Sequence, residues 1–410
     1  MKVLYVNTYF HGGGAEKVMR QLYSGMQTKD IVTYCMVGRV QNDIPSEVQV
    51  IYGDLLGRAV TTAIGSVLQN TLLKTYIARK RIIEFVQKEN IDIVHFHNLH
   101  SNYIGISDII EIKKYCKHIV VTLHDMWILT GGCAHACECE EWINNECKQC
   151  KGNYSMKSFS YSGKLFMYKK KYFENKGIYF VTPSMWLADL CKSGYLKNEN
   201  LQVIHNGIDL EKYKTYSKTD VRNKYGLPQE KRILIFVANG LNNIYKGFPY
   251  LKKALDMIEE KEKYALLIVG NKKDEQLEFP FEMYPFGYIS CEEKMNELYA
   301  AADLYIHPSM ADVYPFTPME SIASGTPVLA FSTGGVPEIV DEEVGWLVSP
   351  GDSVALKNKI EDIFAKENQT EYMEKQKRCE SYSQENFNIE YMIDKYKKLY
   401  IQLTDKGDKT

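Results

Sequence analysis

Two α/β domains in series, each built on a parallel sheet, are predicted for this chain. Three observations carry that expectation. Short, almost wholly apolar runs such as Lys2–Asn7 and Leu266–Gly270 recur and alternate with stretches of helical periodicity, which is how strands buried on both faces of a parallel sheet read. The first run opens into the glycine loop Gly12-Gly13-Gly14 and then a helical stretch from Lys17 to Met26, a strand, loop and helix unit of Rossmann-like type. A length of 410 residues exceeds what one core holds and suits two domains of ordinary size.

Composition narrows the class. Hydrophobic residues at 45% against 25% charged describe a globular chain. Met1 runs straight into a strand pattern with no apolar leader, and no apolar run reaches membrane-spanning length, so a cytoplasmic protein is expected. The net charge of −2 hides an asymmetry, because residues 1–200 carry 24 Lys and Arg against 18 Asp and Glu. That excess lies mainly between Lys151 and Lys197 in one short segment without a recognition motif, which argues against nucleic acid as a partner.

Taken in order, the loop carrying Gly13 and Gly14 lets backbone approach a ligand closely, but its order is not Gly-x-Gly-x-x-Gly. A tight turn and a ligand loop fit the spacing equally. Ile91–His97 and His118–Asp125 read as two further buried strands, and their C-terminal ends bring His97, His100 and His124 toward the crevice of such a sheet. Five of the ten cysteines are scattered as small buried hydrophobes. The other five lie between Cys133 and Cys150, where Cys133, Cys139 and Cys147-x2-Cys150 either supply a structural zinc or stay reduced. A catalytic metal is not expected. Lys164–Lys176 interleaves lysines with Leu165, Phe166, Met167, Tyr168, Tyr172 and Phe173, as an amphipathic helix with a solvated basic face or one resting on anionic headgroups. Tyr179–Ser184 closes the first domain, and the Asn206-Gly207 turn places a boundary near 207. The expected division is 1–206 with a terminal helix at 386–403, and 207–385.

In the second half, strand Arg232–Ala238 ends in Asn239-Gly240 and leads to Lys246-Gly247, where a lysine in a glycine-bearing loop can pair with phosphate. Leu266–Gly270 and Leu304–Ser309 are further strands, Pro285–Ile289 is a loop between them, and Gly345–Val348 completes the βα series. Thr404–Thr410 is expected to fray. Asp312 to Val328 holds the densest signal. Thr317-Pro318 reads as an N-cap with proline in the first helical position, Glu320 falls three residues later, and Gly325 ends the helix before strand Val328–Phe331. A helix N-terminus suits phosphate, whereas Asp312 and Glu320 can accept hydrogen bonds from sugar hydroxyls. A capping box explains Thr317 and Glu320 without any ligand. A nucleotide sugar is anionic in the middle and polyhydroxylated at both ends, and it satisfies the whole arrangement.

This stretch resembles the Glu-x7-Glu signature of the retaining, nucleotide-sugar-dependent glycosyltransferases of family 4, with Glu320 matching the second acid and Asp312 a shorter replacement for the first. The resemblance extends over almost the whole chain through the Gly-Gly-Ala-Glu loop at Gly13–Glu16, His124, Ile208-Asp209 after Asn206-Gly207, and Lys246. The run Leu123-His124-Asp125-Met126-Trp127, followed by Gly131-Gly132-Cys133, is similar to members that build bacterial surface polysaccharides. The resemblance implies a GT-B fold, two Rossmann-like domains facing across a cleft with a crossover helix at the C-terminus. It implies a UDP- or GDP-sugar donor and a glycan or lipid-linked acceptor, and because no Asp-x-Asp pair is present in this arrangement, a required metal is not expected. By the same resemblance Glu320 holds the ribose, Asp312 the donor sugar, and His124 lies near the transferring sugar; a cation and a helix N-terminus suit a departing diphosphate, which makes Lys246 and the Thr317 helix start the candidates to stabilise it. Members usually carry an arginine about six residues before the lysine, where this chain has Gly240. A nucleotide-sugar 2-epimerase of the same fold and a catalytically silent binding protein are the rival expectations.

Overall fold

A computed structural model gives the fold, describing residues 1–53, 72–100, 103–148, 159–214, 216–238, 240, 243–270 and 281–407. The chain forms two compact units, Met1–His205 with Glu390–Thr410, and Asn206–Ile389.

The first unit holds seven parallel strands: β1 (Lys2–Asn7), β2 (Val32–Val37), β3 (Gln49–Val50), β4 (Ile93–Phe96), β5 (His118–Thr122), β6 (Tyr179–Thr182) and β7 (Asn200–Val203), in the order β3-β2-β1-β4-β5-β6-β7. The second holds six: β8 (Arg232–Val237), β9 (Tyr264–Val269), β10 (Glu282–Gly287), β11 (Leu304–His307), β12 (Val328–Phe331) and β13 (Gly345–Val348), in the order β10-β9-β8-β11-β12-β13. Parallel neighbours need a crossover, and among the described residues helices supply most of them while covering the apolar faces. The helix Gly14–Gln27 buries Ala15, Val18, Met19, Leu22 and Met26, one stripe at helical spacing. In both sheets the strand order reverses once, between β1 and β4 and between β8 and β11. Crossovers leave toward opposite faces there, so a crevice opens beyond the carboxyl ends of those strands.

Three expectations need correction. Pro285 and Phe286 belong to β10 rather than to a loop; β10 is an edge strand, where proline's missing N–H removes no ladder bond that matters, and the register shifts there between Pro285 and Gly287. The terminal helix runs Ile389–Gly407, so Thr404 is helical and its Oγ1 donates to the Tyr400 carbonyl instead of fraying. This helix buries Met392, Ile393, Tyr396, Leu399, Tyr400 and Leu403 against the first unit, and a Cβ on Gly25 would lie 2.3 Å from Ile393 Cδ1, so a larger residue there would displace the isoleucine side chain. Finally, Lys169 of the helix Phe159–Phe173 is not on a solvated basic face, because it is fully buried. Among the described residues, no helix is long and apolar enough to cross a membrane.

Candidate active site

In the second unit, the reversal point gathers side chains from the ends of β8 and β11. After β8 a short turn, Ile244–Lys246, ends in Gly247 at φ 69°, and a Cβ on Gly247 would lie 1.7 Å from the Pro308 carbonyl just past β11. Glycine therefore lets the lysine segment close onto the β11 end, where Met310 N–H and the Ser309 hydroxyl both donate to the Tyr245 carbonyl. Lys246 Nζ then sits 2.8 and 3.1 Å from the two carboxylate oxygens of Asp312. His307, the last residue of β11, places Nε2 3.1 Å from the same carboxylate. Burial alone would raise the Asp312 carboxyl, but Lys246 and His307 together hold it well below the ordinary carboxylate range. His307 itself is lowered by burial and stays neutral at pH 7. The Gly334-Gly335 loop after β12 supports Asp312 from behind: Gly335 N–H donates to its carbonyl, and a Cβ on Gly334, at φ 55°, would lie 1.9 Å from that oxygen.

The Tyr305 hydroxyl lies 2.8 Å from His307 Nδ1 and 2.9 Å from Thr317 Oγ1. Thr317 is therefore not the N-cap. The helix runs Phe316–Ala323, its cap is Pro315 in an extended conformation with no side-chain bond, and Thr317 lies inside the first turn. Proline holds the entry angle unaided, which frees the threonine hydroxyl for Tyr305. Glu320 follows in the second turn and hydrogen-bonds Tyr213, whose hydroxyl is raised by burial and by that carboxylate. The buried Tyr305 phenol feels both acids, Asp312 and Glu320. Gly325 ends the helix at φ 79°.

In the first unit, the ends of β1, β4 and β5 form a second cluster. Gly13 caps the helix Gly14–Gln27 without a side chain, and Glu16 folds back over the loop, its Oε1 accepting from Asn98 Nδ2 at 3.3 Å. Asn7 Oδ1 accepts from the amides of Thr8 and Asn98. His95 and His97 share one face of the β4 end, as do Thr122 and His124 at β5, because side chains repeat every second residue. His97 Nδ1 lies 2.9 Å from His124 Nε2 with the rings nearly coplanar at 17°, and His97 Nε2 is buried without a partner among the described residues. His95 is held at 2.7 Å by Tyr400 of the terminal helix and at 2.8 Å by Thr122, which Tyr396 contacts in turn. Burial lowers His95 and His97 well below the imidazole range and His124 to about 4, so all three are neutral at pH 7. His124 can thus give or take a hydrogen bond but brings no positive charge. His100 behaves differently, since burial would lower it but Asp125, 3.0 Å away, outweighs burial and raises it.

Two family descriptions match the chain and between them span most of it, "Glycosyltransferase Family 4" over residues 12–212 and "Glycosyl transferases group 1" over 217–385. The chain belongs to the family 4 glycosyltransferases. Among its relatives are an uncharacterised glycosyltransferase of Methanocaldococcus jannaschii, 26% identical over 39% of this chain and 43% of that protein, and a putative colanic acid biosynthesis glycosyl transferase, WcaC, of Escherichia coli, 24% identical over 63% and 64%. The matches thus cover less than two thirds of either relative's length. Anabaena HepE, solved in complex with UDP, superposes with a TM-score of 0.69 at 17% identity over 98% of this chain and 100% of that one. That likeness shows the GT-B fold.

Within this family 4 chain the two clusters divide the expected residues: Lys246, Asp312, Thr317 and Glu320 lie in the second unit, and Gly13, Gly14 and His124 in the first. Sequence reasoning missed His307 and Tyr305, although His307 ends a strand just as His97 and His124 nearly do. It also missed Tyr213, for which no local signal exists, since a lone tyrosine in a polar stretch announces nothing. Among the described residues no three His, Cys, Asp or Glu side chains converge as metal ligands; the buried Cys147 accepts a bond from Gly131 N–H, and Cys150 lies outside the described residues. Asn239 of the phosphate-loop expectation lies outside them as well.

Proposed function

We propose that this protein is a retaining glycosyltransferase that moves a hexose-type sugar from a nucleoside diphosphate sugar to a hydroxyl of a lipid-linked glycan during surface polysaccharide synthesis. The arrangement of Lys246, Asp312 and His307 at the reversal point of the second sheet, with Glu320 one helical turn away from Thr317, carries the reading. Lys246 has three donors, and the Asp312 oxygens leave the ammonium free to meet a diphosphate as well. Glu320 accepts from the ribose, Asp312 orients the sugar, and the neutral His124 supports the transferring sugar through an uncharged nitrogen. Preorganised cations and N–H groups then stabilise charge growing on the leaving diphosphate without a metal. Complexes of HepE with UDP and with UDP-glucose support UDP as the base carrier, and the printed role of WcaC supports a surface polysaccharide. Exposed Lys164, Met167 and Lys171 on the helix Phe159–Phe173 suit contact with anionic headgroups near such an acceptor.

The test supplies labelled UDP- and GDP-sugars with and without membrane extract. Label should enter a lipid-extractable product only when membranes are present, with the anomeric configuration of the donor kept. An epimerised donor with no acceptor, or UDP binding with no turnover, would overturn transfer. Glu320→Ala should weaken UDP binding by about tenfold or more with the fold kept, since a good hydrogen bond to a charged group contributes about 1.5–3 kcal/mol; unchanged calorimetric affinity would remove Glu320 from the site.

A further inference from the structure

Lys169 is 0% exposed, which is rare for a residue that carries a charge on a long flexible stem. Its ammonium donates to the carbonyls of Trp127 and Thr130, the latter at 3.0 Å, and lies 3.5 Å from the centre of the Trp127 indole. The facing groups are the Asp125 carboxylate and the Cys133 and Cys147 thiols. Burying an ammonium costs several kcal/mol unless hydrogen bonds and charge compensate it, so a methionine would fill this space at lower cost.

Both carbonyls belong to the segment that leaves β5 directly after His124 and Asp125. That segment has no sheet ladder to hold it, and side chains take the place of one: Lys169 engages Trp127 and Thr130, while the Tyr195 hydroxyl donates to Ile128 at 2.6 Å. The helix bearing Lys169 is pressed close, since a Cβ on Gly131 would lie 2.6 Å from the Ser162 carbonyl. At the other end of the segment, Asp125 accepts from Trp127 N–H at 2.7 Å and faces His100 at 3.0 Å. We propose that Lys169 is a positioning residue for sugar transfer, a buried clasp whose N–H donors fix the Trp127–Thr130 turn so that Asp125 meets His100 and His124 meets His97. The inference rests on the proposed role of His124, but its test reads geometry and does not depend on turnover.

His100 reports the clasp because two effects on it have opposite signs. The Lys169 charge lowers the His100 pKa, whereas the Asp125 contact raises it. Imidazole NMR titration is carried out on wild type, Lys169→Met and Lys169→Gln, the last because its carboxamide keeps N–H donors in an uncharged side chain and so preserves folding. A clasp predicts that His100 falls toward 6.5 in Lys169→Met as the Asp125 contact loosens, and stays higher in Lys169→Gln than in Lys169→Met because its donors still hold the turn, with UDP affinity unchanged in both. A rise in Lys169→Met, the result of removing a charge from intact geometry, overturns the proposal, as does no change in that variant. Unaltered transfer in His124→Ala would sink the functional reading alone, so the two fail separately.

Discussion

Replacing Lys246 by methionine isolates the charge pair at the centre of the second unit. At 2.8 Å and an effective dielectric of about 20, the Lys246–Asp312 attraction is about 6 kcal/mol gross. Desolvation of both groups offsets much of it, and removing one member of a buried pair costs about 3–5 kcal/mol because the other is stranded. With 29% of the lysine and 15% of the aspartate side chain exposed, water relieves part of that, and a loss of about 2–3 kcal/mol is expected. For a unit of this size that lowers Tm by about 4–12 °C. The pH dependence gives the sharper check. Asp312 is held below its unfolded value of 3.8, so its contribution is present above that pH and is lost as pH falls through the folded value. In Lys246→Met the stranded carboxyl is pushed up by burial and relieves itself by protonating on acidification. The stability gap between wild type and variant should be widest near neutrality and narrow below about pH 4. Adding Asp312→Asn to Lys246→Met should recover much of the loss. A gap of equal size at pH 7 and pH 3.5, or a double variant no more stable than Lys246→Met, would refute the reasoning.

His124→Ala should reduce transfer at least about a hundredfold while calorimetric UDP affinity stays within twofold, because general catalytic contacts are worth about 10²–10⁴ and the histidine lies in the other unit from Glu320. Two glycines separate strain from collision: Gly325→Ala meets nothing within 4 Å and should cost about 1 kcal/mol for its φ of 79°, whereas Gly334→Ala also drives a Cβ against the Asp312 carbonyl and should cost several times more, in thermal melts and in UDP affinity together. Equal penalties would remove the Gly334 loop from the support of Asp312.

Much of this fold is written locally. Runs such as Ile233-Leu234-Ile235-Phe236 are apolar at every position because both faces of a parallel strand are covered, so strands could be read without knowing their neighbours. The helix after Asp312 was equally legible from proline and Gly325, but its cap was not. Thr317 has the right chemistry for an N-cap, and only the approach of Tyr305 from β11 shows that its hydroxyl is already engaged. Lys169 is the clearest reversal, since a lysine among lysines reads as solvated until Trp127 and Thr130 are seen around it.

Local pattern together with the family resemblance singled out Gly13 and Gly14, His124, Lys246, Asp312 and Glu320. Which ends count was decided by strand order, because a crevice forms only where neighbouring crossovers depart to opposite faces, beside β1 and β4 and beside β8 and β11. The pairing of His97 with His124, of Lys246 with Asp312 and of Asp125 with His100 joins residues 27, 66 and 25 positions apart. Periodicity sees a few residues at a time, whereas charge states and contacts depend on whatever the fold brings within about 4 Å.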